Sequence, residues 1–143
     1  MVMFSYCGPS GGSGGDTFSD GLIWGRNIAE VRIHSGACID SIQVVYIDES
    51  SNEIVNPKYG GSGGTLSALK LIPGEYITTI GGKYGHLVDS LWIKTNKGRT
   101  QKWGGDGGYV AFNYSAPPGT SIYGFCGQAG HFLDAIGVII KTP

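Results

Sequence analysis

Charge is sparse in this sequence and favours neither sign. Ten lysines and arginines stand against 11 aspartates and glutamates, a formal net charge of −1 over 143 residues. With no basic excess to neutralise a phosphate backbone, nucleic acid is excluded as the expected partner. No apolar run reaches the ~18 residues of a membrane span, so no membrane insertion is expected. The opening MVMFSYCGPSGG has neither the charged start nor the long apolar stretch of a signal peptide. Either the chain is not secreted or it is a mature form; a secreted mature chain is slightly favoured over a cytoplasmic one. No P-loop or zincin motif is present, and no helical stripe follows the G-x-S-x-G spellings of the glycine loops to make a nucleophile elbow, so catalysis and a cofactor are not expected. His34, His86 and His131 lack metal-ligand spacing, and the cysteines do not complete one. Those cysteines number three, Cys7, Cys38 and Cys126. An odd set cannot pair fully within one chain. Free buried thiols are one reading; a bridge between two chains through Cys7 is the other.

Glycine is abundant instead, at 26 residues against a usual share of ~7%. The glycines fall in a repeat. Gly11 to Gly15 and Gly60 to Gly64 both read GGSGG, and Gly104 to Gly108 reads GGDGG. A second marker, G-x-x-x-D, recurs as GACID (36–40), GHLVD (85–89) and GHFLD (130–134). The loops start 49 and 44 residues apart and the aspartates lie 49 and 45 apart, so the two markers move together. Each aspartate is followed at offsets of two, four and six by residues that share one face of a strand. These are Ile42, Val44 and Tyr46; Leu91, Ile93 and Thr95; and Ile136, Val138 and Ile140.

Other segments also read as strands. Ala29, Val31 and Ile33 alternate with Glu30, Arg32 and His34, the pattern of a half-buried strand. Residues 66–72 and 76–80 are short strand candidates bounded by Pro73-Gly74 and Gly81-Gly82. No ten-residue stretch carries a helical stripe. The chain is therefore read as one all-β domain over residues 1–143. Its threefold repetition predicts three sheets around one axis, with their inward faces forming the core.

The recurring glycines and aspartates suggest a chemistry. Glycine permits positive φ and close approach of a ligand to the backbone, and successive amides in such a turn point outward as donors. A neighbouring carboxylate accepts charge-assisted hydrogen bonds from paired hydroxyls. Donors and a bidentate acceptor on a shallow surface suit a polyol such as a sugar. The competing reading is that Asp40, Asp89 and Asp134 simply cap their own turns.

The stretches GGSGGDTFSDG (11–21), IDSIQVVY (39–46), GEYI (74–77) and GFCGQAGHFLDAIGV (124–138) resemble the jacalin-related lectin family. The resemblance covers the chain from about Gly11 to Ile140. It implies a β-prism I fold of three four-stranded antiparallel Greek-key sheets with pseudo-threefold symmetry. It also implies a metal-free sugar site built from a Gly-Gly loop and a G-x-x-x-D loop. Carried over, the main site is Gly15 with His131, Phe132 and Asp134; the amides of Gly15, His131 and Phe132 donate and Asp134 accepts. Two further candidates join Gly64 to Ala37, Cys38 and Asp40, and Gly108 to His86, Leu87 and Asp89. Phe132 supplies an aromatic at the third position of G-x-x-x-D, where the other copies have Cys38 and Leu87, so the Asp134 site ranks first. The uncut Gly11–Gly15 loop favours mannose- or glucose-type sugars over galactose. Expected partners are mono- and oligosaccharides and glycoproteins, with homodimerisation implied by the family.

Tyr84, read as part of a loop flanking the sugar, either stacks on a ring or sits in solvent. Tyr59 and Trp103 are expected to pack beneath glycine loops. A protonated His131 near pH 6 is a candidate modulator of affinity. The alternative function is a structural or matrix protein using the same prism for protein or mineral contacts.

Overall fold

The computed structural model describes residues 3–143, and every regular element in it is a strand. In chain order these are β1 (Phe4–Gly11), β2 (Asp16–Ser19), β3 (Arg26–Ser35), β4 (Ile39–Asp48), β5 (Glu53–Val55), β6 (Tyr59–Gly60) and β7 (Thr65–Lys70). There follow β8 (Ile77–Tyr84), β9 (Val88–Thr95), β10 (Thr100–Gly104), β11 (Val110–Ser115), β12 (Ser121–Ala129) and β13 (Leu133–Lys141).

Hydrogen bonding groups them into an eight-stranded and a five-stranded antiparallel network. The larger network is two four-stranded sheets, β1-β13-β12-β2 and β10-β9-β8-β11, joined by the single pair Ile122 and Ile77. The third sheet is β7-β3-β4 with β5 and β6 sharing its outer position beside β4. That outer strand breaks at Pro57, which has no N–H to give to the ladder.

All three sheets share one plan. A central hairpin (β3–β4, β8–β9 or β12–β13) turns at its G-x-x-x-D segment. The two strands flanking it are joined by the Gly-Gly loop, which crosses over that turn. This is a Greek-key connection, and it makes the β12–β13 sheet from both ends of the chain: β1 pairs with β13, and β2 with β12.

The inward faces fill the prism. Ile42, Val44, Tyr46, Leu91, Ile93, Ile136 and Val138 are at most 1% exposed, on the face that alternation assigned them. Burying a side chain of this size contributes about 1.5–3 kcal/mol. In β3 the alternation holds for Val31 and Ile33, but a register shift between Ile28 and Glu30 places Ala29 at a bulge. Ile28 takes the inward position there instead.

A second departure concerns residues 81–84. Gly81 and Gly82 do not end a strand; β8 continues through them to Tyr84. A side chain at Gly81 would strike the Trp92 indole, and one at Gly82 the Ser90 carbonyl. These glycines thus serve close approach within a sheet rather than a turn.

One buried acid, Asp20, braces two sheets against each other. Asp20 accepts from the Phe125 amide (3.0 Å), the Tyr46 hydroxyl (3.2 Å) and the Asn56 side chain (3.2 Å). It fastens the β12 sheet to the β4 sheet, and burial raises its carboxyl above the usual range. All three cysteines are free thiols, Cys126 buried and Cys7 and Cys38 half-buried. Burial, then the charge of Asp20 and the neighbouring Cys7, pushes the Cys126 thiol up to about 11.

Candidate functional site

Each hairpin turn is fixed by its own backbone. The amides of Gly36, Gly85 and Gly130 each donate to the carbonyl two residues on, all at 3.0 Å. The Gly-Gly loops are then pinned on top. The amides of Gly12, Gly61 and Gly105 donate to the carbonyls of Asp134, Asp40 and Asp89 at 2.9, 2.9 and 3.0 Å. The second half of each loop thereby lies against the carboxylate of the same aspartate. A methyl at Gly14 or Gly15 would sit 2.7 Å from an Asp134 oxygen. At Gly63 and Gly64 the corresponding distances to Asp40 are 2.8 and 2.5 Å, and at Gly107 and Gly108 to Asp89 they are 2.9 and 3.1 Å. Gly15 and Gly64 also take φ of +76° and +72°, a region that side chains rarely enter. Only glycine leaves these spaces open.

The three carboxylates are unspent. Asp20 and Asp48 show what committed aspartates look like here. Asp48 accepts from the amides of Ser50 and Asn52 in its own turn. Among the described residues no side-chain hydrogen bond reaches Asp40, Asp89 or Asp134, yet none has an oxygen sealed from solvent. The turn-cap reading of these aspartates therefore has no bond to support it. The amides of Gly15, His131 and Phe132 likewise have no backbone acceptor among the described residues, and the same is true of Ala37, Cys38, His86 and Leu87. Each turn thus carries amides without a backbone acceptor and an aspartate without a side-chain donor.

The structure brings together each trio and its loop glycine as the sequence grouped them. Gly15, His131 and Phe132 are exposed and Asp134 is half-buried. Around Asp40, which is 6% exposed, Gly64 and Ala37 lie in the open and Cys38 is half-buried. Around the half-buried Asp89, His86 is exposed while Gly108 and Leu87 are half-buried. Burial, then the charges of Asp40 and Asp89, raises the Cys38 thiol, so this side chain feels two adjoining cradles and stays neutral.

The cradles also lock to one another. A side chain at Gly61 would overlap the His131 carbonyl, one at Gly105 the Ala37 carbonyl, and one at Gly12 the His86 carbonyl. Each loop rests on its own aspartate with one half and on the neighbouring turn with the other. The ring closes around the prism axis.

Tyr84 is not a loop residue. It ends β8 half-buried, with its ring 6.2 Å from Phe112 and its carbonyl accepting from the Tyr109 amide at 2.9 Å. The exposed aromatic here is Tyr109, 89% accessible, with its ring edge over Gly85. Sequence reading missed it, although an aromatic follows only the third Gly-Gly pair, where Asp16 and Thr65 follow the others. Trp103 is buried beneath its loop and donates to the Ser67 carbonyl, while Tyr59 stacks on Phe18 at 4.3 Å. Among the described residues no group of three His, Cys, Asp or Glu is placed to share a metal ion.

A threefold prism with an open amide-and-carboxylate cradle over each hairpin turn is the architecture of a β-prism lectin domain. The sequence matches the jacalin-like lectin domain over residues 7–139, and the chain belongs to that family. It is 36% identical to jacalin-related lectin 19 of Arabidopsis thaliana, over 96% of this chain and 81% of that one. Identity to horcolin of Hordeum vulgare is 37%, over 95% of each. The structure superposes on the crystal structure of an artocarpin–mannotriose complex with a TM-score of 0.85. The two are 30% identical, covering 95% of this chain and 96% of that one.

Proposed function

We propose that this chain binds mannose- or glucose-type glycans, without a metal ion, through the three cradles at one end of the prism. One observation carries the proposal: three carboxylates with no protein partner, each facing glycine amides that have none either. A hexose supplies what both lack. Adjacent ring hydroxyls donate to the carboxylate and accept from the amides of Gly15, His131 and Phe132 or their counterparts. The Asp134 cradle ranks first because Phe132, 39% exposed, offers an apolar surface to the ring. Leu87 and Cys38 offer less. The continuous Gly11–Gly15 loop and the mannotriose held by artocarpin support mannose over galactose.

A single shallow cradle binds near the millimolar range, about −4 kcal/mol, so useful avidity comes from several cradles and from a homodimer. The proposed activity is binding alone, with no catalytic step. No observation favours the structural or matrix reading.

Titration with methyl α-mannoside and methyl α-galactoside, read by amide NMR, tests this. Mannoside is expected to shift His131 and Phe132 first, and Asp134→Asn to remove that response while leaving the Asp40 and Asp89 cradles. A folded protein that binds neither sugar, or an Asp134→Asn variant that titrates like the parent, overturns the reading.

A further inference from the structure

The end of the prism away from the cradles holds a cavity that sugar binding does not use. It opens where β3, β8 and β12 begin and where β4 and β13 end, and has a volume of about 750 Å³. Strand β13 runs from the Asp134 cradle to Lys141, so the rise per residue separates the two sites by roughly 23 Å.

The apolar part of the wall is Ile28, Leu71, Ile72, Ile77, Ile122 and Tyr123, with Asn27, Ser51, Thr120, Ser121 and Thr142 among the polar residues beside it. Ile72 is 56% exposed at the rim, beside Tyr76 at 45%. The volume falls within the range of small-molecule sites, about 300–1,000 Å³.

One cation stands in the wall. The Lys141 ammonium donates to the Asn27 side-chain oxygen at 2.9 Å and lies 5.5 Å from the Tyr123 ring centroid, and all three residues line the cavity. The ion pairs among the described residues are Arg32–Glu30 and Arg99–Glu75; Lys141 is in neither. The acidic side chain in the cavity wall, Glu75, is spent on Arg99 and Thr95. Partial burial lowers the Lys141 pKa, in keeping with an ammonium that has lost water and gained no counter-charge.

We propose that this cavity binds an amphipathic carboxylate, a small acid with an apolar body, whose chain or ring lies on Leu71, Ile72 and Tyr76 and whose carboxylate pairs with Lys141. An anion at that point forms a charge-assisted hydrogen bond where the ammonium now has only a neutral partner. A neutral amphiphile covers the same apolar surface and leaves the charge unanswered; a cationic one is repelled.

The intact chain, titrated with octanoate, 1-octanol and octylammonium and followed by amide NMR, tests the assignment. Octanoate is expected to shift Leu71, Ile72, Tyr76 and Lys141 without moving His131 or Phe132, and to bind at least tenfold more tightly than octanol. Lys141→Met should remove that tenfold preference and leave octanol binding unchanged, while Lys141→Arg should keep it. Equal binding of octanoate and octanol, comparable binding of octylammonium, or no shifts at this end of the prism overturns the proposal. If Lys141→Met fails to fold, the ligand series on the parent chain and on Lys141→Arg still decides. Because Asp134→Asn should leave octanoate binding intact, failure here is distinguishable from failure of the sugar reading.

Discussion

The interlocked loops make an unusual claim about cause and location: a change in one repeat should damage the sugar cradle of another. Gly61 is the place to test it. Its amide is held by the Asp40 carbonyl at 2.9 Å, so its own loop cannot easily retreat. A methyl on Gly61 would fall more than an ångström inside the 3.4 Å at which ordinary contact with the His131 carbonyl begins. The turn carrying His131 and Phe132 must therefore give way. Overpacking of this kind costs about 1–3 kcal/mol of stability. The sugar cost lands on the Asp134 cradle, whose two turn amides lose their aim; at about 0.5–1.5 kcal/mol for each neutral hydrogen bond, affinity falls by roughly five- to 150-fold. From a millimolar start, that is a Kd of roughly 5 to 150 mM. Amide NMR of Gly61→Ala during a methyl α-mannoside titration separates the cradles. His131 and Phe132 should stop responding, while Ala37 and Cys38, on the Asp40 cradle that Gly61 itself caps, should titrate as in the parent. The opposite outcome, with the Asp40 cradle silenced and the Asp134 cradle intact, would refute the coupling.

Glu75 accepts from Arg99 Nε and Nη2 at 2.8 and 2.6 Å and from the Thr95 hydroxyl at 2.6 Å, and the Arg99 fork foremost holds its carboxyl down to about 2. Its contribution to stability is thus complete above the ordinary value of 4.5 and drains away as pH falls towards 2; Glu75→Gln should lower Tm by several degrees at pH 7 and flatten that acid slope in thermal melts. The raised Cys38 thiol should react slowly with N-ethylmaleimide at pH 7 and much faster at pH 9, and peptide mapping with sugar titration should show the alkylated protein losing the Asp40 cradle alone. Tyr109→Ala should weaken mannoside binding at the Asp89 cradle by about three- to tenfold, as expected for loss of an aromatic contact of about 0.5–1.5 kcal/mol, with no change at Asp134.

Much of this architecture was readable because its parts are chemically obligatory. A loop that must take positive φ beside a carboxylate has to be glycine, so Gly14-Gly15, Gly63-Gly64 and Gly107-Gly108 stand out in the chain. Strand faces such as Ile136, Val138 and Ile140 follow from a strict period of two. What stayed hidden has local physical causes. Gly81-Gly82 looks like a turn, and only the Trp92 ring against Gly81 and the Ser90 carbonyl against Gly82 explain glycine there. The bulge at Ala29 has no residue signature. Asp20 occurs once and carries no repeat to set it apart, although it holds two sheets together. The contact of Gly61 with His131 joins residues from different repeats, which no spacing rule connects.

The sheet shared by the two ends of the chain has a further consequence. Two of the cradles are assembled from segments close in sequence, but the Asp134 cradle needs the glycine loop after β1 to meet a turn more than a hundred residues later. As the polypeptide leaves the ribosome, the proposed Asp134 cradle stays incomplete until the turn at His131 and Phe132 has emerged. Capture on a mannose resin would then sort finished molecules from arrested ones.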